Sequence, residues 1–166
     1  MIDITKLSSV YDVRPIDEGK ACDVLDIFKG NPQFFEYSDE EATEEQVRKD
    51  MRLLPTGVGV SDKYYFGFYK GSDLVAVMDI IDGFTYSDIA YIGFFMMNKL
   101  YQGRQIGTAI ISEAAEYLRS IGKSTLRLVI DKGNPQSTHF WEKNGFVVFR
   151  EADRDGHAVL EADRAL

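Results

Sequence analysis

Two glycines four residues apart, in YQGRQIGTAI at Tyr101–Ile110, open a run of helix formers directly after an apolar stretch, IAYIGFFMMNKL. A strand ending in such a turn leaves backbone N–H groups free at the start of the next helix, where the helix dipole also favours an anion. Small residues suit that place because a Cβ would stand between backbone and ligand. Gln102, Gly103, Arg104, Gln105, Ile106, Gly107 and Thr108 therefore form a candidate phosphate cradle, to which Arg104 adds a positive charge. The same residues equally suit a plain strand-to-helix turn, with Gly103 allowing the turn and Gly107 allowing close packing of helix on sheet. The stretch has neither the Gly-Lys-Ser/Thr of a Walker loop nor the G-x-G-x-x-G of a dinucleotide fold.

A second stretch, NPQSTHFWEKNGF at Asn134–Phe146, reads locally as a well-punctuated short helix. Asn134 is an N-cap, Pro135 suits the first helical position, and Asn144-Gly145 makes a left-handed exit. Asp79 and Asp88, near strand ends, are the carboxylates best placed to accept a proton, although an acid beside a hairpin is usually just solvated. His139 and His157 have no metal-ligand company and read as surface residues, so no metal is expected. The aromatic group Phe34, Phe35, Tyr37, Tyr64, Tyr65 and Phe66 offers walls for an acceptor pocket, with core packing claiming at least half of it.

These residues need elements to hold them. Val10–Arg14 reads as a first strand ended by Pro15, and Asp17–Lys29 as a helix stopped by Gly30-Asn31-Pro32. Thr43 opens a second helix with an acidic first turn. Lys63–Tyr69 and Leu74–Ile81 flank the turn Lys70–Asp73, and Ile89–Met97 completes an antiparallel meander. Gly103–Ile121 has one apolar helix face, with Gly122 as its C′ residue. Thr125–Ile130 is a strand, Pro135–Lys143 a helix, and Phe146–Arg150 and His157–Glu161 are strands around the turn Asp153–Gly156. That order predicts a mixed α/β (α+β) fold whose mostly antiparallel sheet has both hairpins and helical crossovers.

Composition limits the partners. The 166 residues carry 27 acidic against 19 basic side chains, a formal net charge of −8, and 45% are hydrophobic. This favours one globular domain over residues 1–166 and argues against nucleic acid or anionic membrane as a partner. It suits simple solubility, and also a cationic, amine-bearing partner. A lone cysteine, Cys22, excludes an internal disulfide. With no signal-like start and no apolar run near the roughly 20 residues of a membrane span, a cytoplasmic protein is expected.

Taken together, the two stretches carry a resemblance. Gln102-x-x-Gln105-x-Gly107 resembles the acyl-CoA signature Q/R-x-x-G-x-G/A of the GCN5-related N-acetyltransferase (GNAT) family. Asn134-x-x-Ser137-x-x-Phe140-Trp141-x-x-x-Gly145-Phe146 is similar to that family's later N-x-x-A-x-x-F/L-Y-x-x-x-G-F. Element order matches too, so the resemblance spans the chain and is most specific over Ile89–Phe149. It implies a GNAT acyl-CoA N-acyltransferase fold, with a sheet split near Phe95. It also implies acetyl-CoA as co-substrate, acetyl transfer to a primary amine by direct attack in a ternary complex, and a homodimer by family analogy.

In such a site the exposed backbone of Phe95, Met96 and Met97 would pair with the pantetheine arm. The amides of Gln102–Thr108 would hold the pyrophosphate, Asn134 the pantetheine or acetyl end, and Phe140 and Trp141 would lie along the thioester. The acceptor would be a polyamine, an aminoglycoside-like molecule, or a lysine or N-terminal amine. Three departures follow. Gln105 stands where the family has glycine, which is unstrained if it lies at negative φ in the helix's first turn. Trp141 replaces a tyrosine whose hydroxyl protonates the leaving thiolate, and indole is no general acid. Tyr91 stands where histone-type members carry a glutamate base, and a phenol with a pKa of about 10 substitutes poorly. A non-catalytic acyl-CoA-binding or regulatory module is the alternative.

Overall fold

Alternating apolar residues in the middle of the chain build the scaffold on which both candidate stretches sit. The computed structural model describes residues 1–166. Strands β1 (Asp12–Pro15), β2 (Lys63–Lys70), β3 (Asp73–Asp82), β4 (Ile89–Met97), β5 (Thr125–Asp131), β6 (Val147–Arg154) and β7 (His157–Ala165) form one sheet in the order β1-β2-β3-β4-β5-β7-β6. Every pairing is antiparallel except β4 with β5, which α4 (Ile106–Ser120) connects. The remaining helices are α1 (Ala21–Lys29), α2 (Pro32–Phe35), α3 (Glu44–Arg52) and α5 (Pro135–Lys143).

Side-chain alternation divides the hydrophobic interior into two layers. On one face Phe66, Phe68, Met78, Ile80, Leu126 and Leu128 meet Ile110, Ile111 and Leu118 of α4 and Trp141 of α5. On the other Tyr65, Tyr69, Val77 and Met96 meet Val24, Ile27 and Phe28 of α1 and Val47 of α3. The first residues of the chain lie along α4, where Ser8 and Ser9 hydrogen-bond Glu113 and the Asp3 N–H donates to the Tyr117 hydroxyl.

The decisive irregularity is in β4. Asp79 of β3 pairs with Phe94 but its neighbour Ile80 pairs with Ile92, so Gly93 is an extra residue, a β-bulge. The bulge resets the alternation. Ala90, Ile92, Phe95 and Met97 all face the α4 layer, whereas Phe94 and Met96 face α1. Pairing of β4 with β5 stops at Ile92–Leu128, just before the bulge. Beyond that point β4 and β5 part, and the gap opens at Gly93, two residues before Phe95.

Local signals explain where expected boundaries hold. Pro135–Lys143 begins at its Asn134 cap, whose Oδ1 accepts from Ser137 N–H, and Gly145 leaves at φ 84°. Thr43 caps α3 in the same way through Gln46 N–H. Elsewhere the structure differs from expectation. The long helix starts at Ile106 rather than Gly103, because a 3-10 turn at Lys99–Tyr101 and a left-handed Gln105 intervene. Asp17–Lys29 is divided between a 3-10 turn, Glu18–Lys20, and α1. Pro32 stops one helix and starts another, α2, since proline suits a first helical position. The last two strands run longer than their apolar cores suggest, continuing as a charged ribbon around Asp155-Gly156.

Candidate active site

Backbone geometry defines the α4 side of the gap. Gln105, the residue before the helix, sits at φ 59° and ψ 11°, and no side chain caps the helix. The expected negative φ is therefore wrong. A left-handed non-glycine residue costs roughly 1–2 kcal/mol, which the surrounding turn must offset. In the first turn Ile106, Gly107 and Thr108 precede the first intrahelical bond, Ala109 N–H to Gln105 C=O, so their amides lack intrahelical acceptors. Gly103, Arg104 and Gln105 are exposed, and Gly103 shares the positive φ at 72°. An uncapped fifteen-residue helix with an open approach is a cradle that fits a phosphate.

An aromatic wall continues from the cradle into the gap. A Cβ placed on Gly107 would lie 3.2 Å from Phe140 Cε2 and 3.5 Å from Met97 Cγ, so this glycine lets α4 approach both. Phe140 stacks on Phe95 with ring centroids 5.9 Å apart, and Trp141 packs edge-on against Phe95, Phe140 and Phe146. Trp141 is only 7% exposed, so its ring belongs to the core. Asn134 is buried, and its cap uses only Oδ1, leaving the carboxamide NH2 as an unused donor.

The strand backbone is less uniformly open than the resemblance implies. Met97 C=O already accepts from Asn31 Nδ2 at 2.9 Å and from Gln102 Nε2 at 3.2 Å. Gln102 also donates to Asn31 Oδ1. Its side chain thus ties the cradle to the end of α1 and closes the Met97 end of the open edge. Asn98 N–H bonds Val75 C=O across to β3, so the backbone groups of Phe95, like those of Met97, point away from β3 into the gap. Met96 turns its side chain to the opposite layer.

On the α3 side titratable side chains take over. A Cβ on Gly93 would lie 2.6 Å from Asp79 Oδ2, so the bulge glycine leaves the Asp79 carboxylate at the point where β4 and β5 part. Asp79 is buried and paired with Lys63 at 2.5 Å, each side chain 7% exposed. Burial pushes its carboxyl up, although Lys63 pulls the other way. Across the strand pair lies Tyr65, whose phenol is raised by burial and then by Asp50, Asp79 and Glu40. Asp50 of α3 accepts from Gln46 Nε2 at 2.7 Å. Burial, then the charge of Glu40, pushes it up to about 7. Glu40 is raised by burial and by Asp131. At the far end His157 bridges Asp131 at 2.9 Å and Asp39 at 3.3 Å.

Several sequence candidates fall outside this constellation. Asp88 lies before the first residue of β4, at the other end of the strand from the gap. It is fully exposed, and a hydrogen bond from Ser124 lowers its carboxyl. Tyr64 and Phe66 point into the α4 layer, while Phe34 and Phe35 pack on Phe28 and Phe94. His139 is exposed. Tyr91 is buried, accepts from Arg154 Nη1 at 3.2 Å, and has its phenol raised by burial, which removes it further from service as a base. The residues missed were Gly93, Lys63, Glu40 and Asp50, while His157, expected at the surface, is partly buried between two carboxylates. Of the missed residues only Glu40 carried a sequence signal, the acidity of the segment Glu36–Glu45.

Comparison with known proteins matches this arrangement. A sequence model of the Acetyltransferase (GNAT) family matches residues 25–146. No curated protein matches the chain. Among solved structures, an acetyltransferase from Thermus thermophilus has a TM-score of 0.75 at 23% identity, covering 95% of this chain and 97% of that one. PaiA N-acetyltransferase from Thermoplasma acidophilum, solved in complex with coenzyme A, gives 0.65 at 15% identity, covering 93% and 98%. RimL, a ribosomal L7/L12 alpha-N-protein acetyltransferase, gives 0.70 at 17%, covering 100% and 96%. At these identities the structures show a shared fold. With the family model spanning both candidate stretches and most of the chain, this protein belongs to the GNAT acetyltransferase family.

Proposed function

We propose that the chain transfers an acetyl group from acetyl-CoA to a primary amine by direct attack within a ternary complex. The observation that carries this reading is the parting of β4 from β5 at the Gly93 bulge. It leaves one gap between an uncapped helix terminus on one side and a buried carboxylate on the other. Bound acetyl-CoA would supply the activated thioester. Amides of Ile106, Gly107 and Thr108 would hold its pyrophosphate with Arg104 nearby, and the Phe95 backbone and Asn134 would align its pantetheine arm. Phe140 and Met97 would form the wall beside that arm, and the Trp141 ring would support Phe140.

The reaction forms a C–N bond, breaks the C–S bond and liberates one proton per ammonium consumed. An alkylammonium must lose a proton before its nitrogen can attack. Asp79 is the carboxylate beside Gly93, and we assign it that proton. Lys63 holds Asp79 in place and keeps its proton affinity below that of an isolated buried acid. With Trp141 in the acid position, the leaving thiolate takes its proton from water, and much of the acceleration rests on holding amine and thioester together.

A non-catalytic CoA-binding module is the second reading, favoured by the buried Trp141 alone. Steady-state CoA-thiol release with a panel of amines separates them. Turnover on at least one amine, reduced a hundredfold or more in Asp79→Asn, is expected. Tight CoA binding with no turnover on any amine contradicts acetyl transfer.

A further inference from the structure

Three buried oxygens on the α3 side have no hydrogen-bond partner, namely Asp50 Oδ2, Tyr65 Oη and Asp79 Oδ1. Tyr65 and Asp79 are both more than nine-tenths buried and face each other across β2 and β3. A buried polar atom without a partner forfeits its hydration with nothing in return, so three in one neighbourhood point to a missing group. The atoms are two carboxylate acceptors and one hydroxyl. Lys63 is the buried cation here, and its ammonium is committed to Asp79. Asp50 has the charges of Lys63 and of exposed Lys49 nearby, while Glu40 has Lys49 and lies near Asp131 and His157. What completes such a cluster is a compact cation with several N–H donors, and an alkylammonium has three. A pocket of about 470 Å³ meets the cluster at Lys63 and Tyr65; its other charged wall residue, Arg52, is held by Glu18, and Ile16, Met51, Leu54 and Val60 make its apolar walls. That lining suits methylene groups.

We infer that Glu40, Asp50 and the Tyr65 hydroxyl hold the second, non-reacting ammonium of a diamine or polyamine whose other amine stands against Asp79 and Gly93. The inference rests on the acetyl-transfer reading and names its acceptor. A monoamine, including a lone lysine side chain, leaves the cluster incomplete. Asp50 binds an ammonium only when ionised, and in the free chain its carboxyl titrates at about 7. Diamine binding below that pH must therefore expel a proton.

The test is calorimetric titration of the CoA-loaded chain with 1,4-diaminobutane and, separately, with n-butylamine. The diamine is expected to bind at least tenfold more tightly, and its affinity to fall about tenfold between pH 8 and pH 6, the span over which Asp50 gains its proton. Heats at pH 6.5 should change with the ionisation enthalpy of the buffer, reporting released protons. Asp50→Asn should shrink the diamine's advantage to threefold or less without lowering the melting temperature. Equal affinity for the two amines, or an undiminished preference in Asp50→Asn, overturns the inference and leaves acetyl transfer to n-butylamine intact. A chain that binds no CoA overturns the acetyl-transfer reading and this inference with it.

Discussion

On the α4 side of β4 the groups facing the gap are main-chain amides and aromatic rings, none of which titrates near neutral pH. On the α3 side they are carboxylates, a lysine and a phenol, and burial raises the Asp50 and Asp79 carboxyls and, with the neighbouring acids, the Tyr65 phenol. The two sides tolerate different damage. Backbone donors should survive a change of side chain, such as Gln105 in place of the family's glycine, but not an intruding Cβ. Paired charges tolerate added bulk better than the loss of one partner, because a lone buried ion has nothing to offset its lost hydration.

The largest expected effect tests the charged side. Lys63→Met strands Asp79 in the interior and should lower stability by about 3–5 kcal/mol in urea or thermal melts. Adding Asp79→Leu should recover most of that loss. A single mutant as stable as wild type would show that the pair carries no such strain. Next comes the backbone side, where Gly107→Leu drives a side chain into Phe140 and Met97. CoA affinity should fall at least a hundredfold by calorimetry, against only a few-fold for Arg104→Gln. Similar losses in both variants would make the cradle a side-chain site.

A smaller effect concerns pH. The Asp50 carboxyl is raised from its ordinary value of 3.8 to about 7, so between those values the folded state binds a proton that the unfolded state has released. This contribution to stability is complete below about pH 4 and is lost as pH rises through about 7. Asp50→Asn removes the penalty and should stabilise the protein at pH 8 by about 1–2 kcal/mol, with the gain vanishing near pH 4. A difference independent of pH would place Asp50 in water. Smallest of all, Gln105→Gly relieves the left-handed strain but loosens the unfolded chain, a net gain of at most about 1 kcal/mol in thermal melts. A loss would mean that the Gln105 side chain makes contacts that matter.

Legibility in the sequence followed the same division. Both ends of α5 and all of β4 could be read because their signals are local, with Asn134, Pro135 and Gly145 around the helix and an uninterrupted apolar run for the strand. The Gly93 bulge was not read, although a glycine inside a strand often marks one, because the glycine alone does not say whether it is a bulge or a close approach. Gln105 misled because glutamine favours helices, and its left-handed backbone is imposed by the turn from Tyr101. The carboxylate cluster was invisible for a different reason. Glu40, Asp50, Lys63 and Asp79 come from a loop, a helix and two strands, and only tertiary packing makes neighbours of them. Asp79 and Asp88 looked alike as acids near strand ends, yet one is buried beside the bulge and the other is fully exposed.

A crystal structure of the chain with CoA tests most directly whether β4 separates a backbone-built cofactor side from a carboxylate-built amine side. The prediction is a pyrophosphate within hydrogen-bonding distance of the amides of Ile106, Gly107 and Thr108, a pantetheine arm bonded to the Phe95 backbone, and the sulfur beside Gly93 facing Asp79. A CoA whose sulfur lies away from Gly93, or whose phosphates are held by side chains alone, would contradict it.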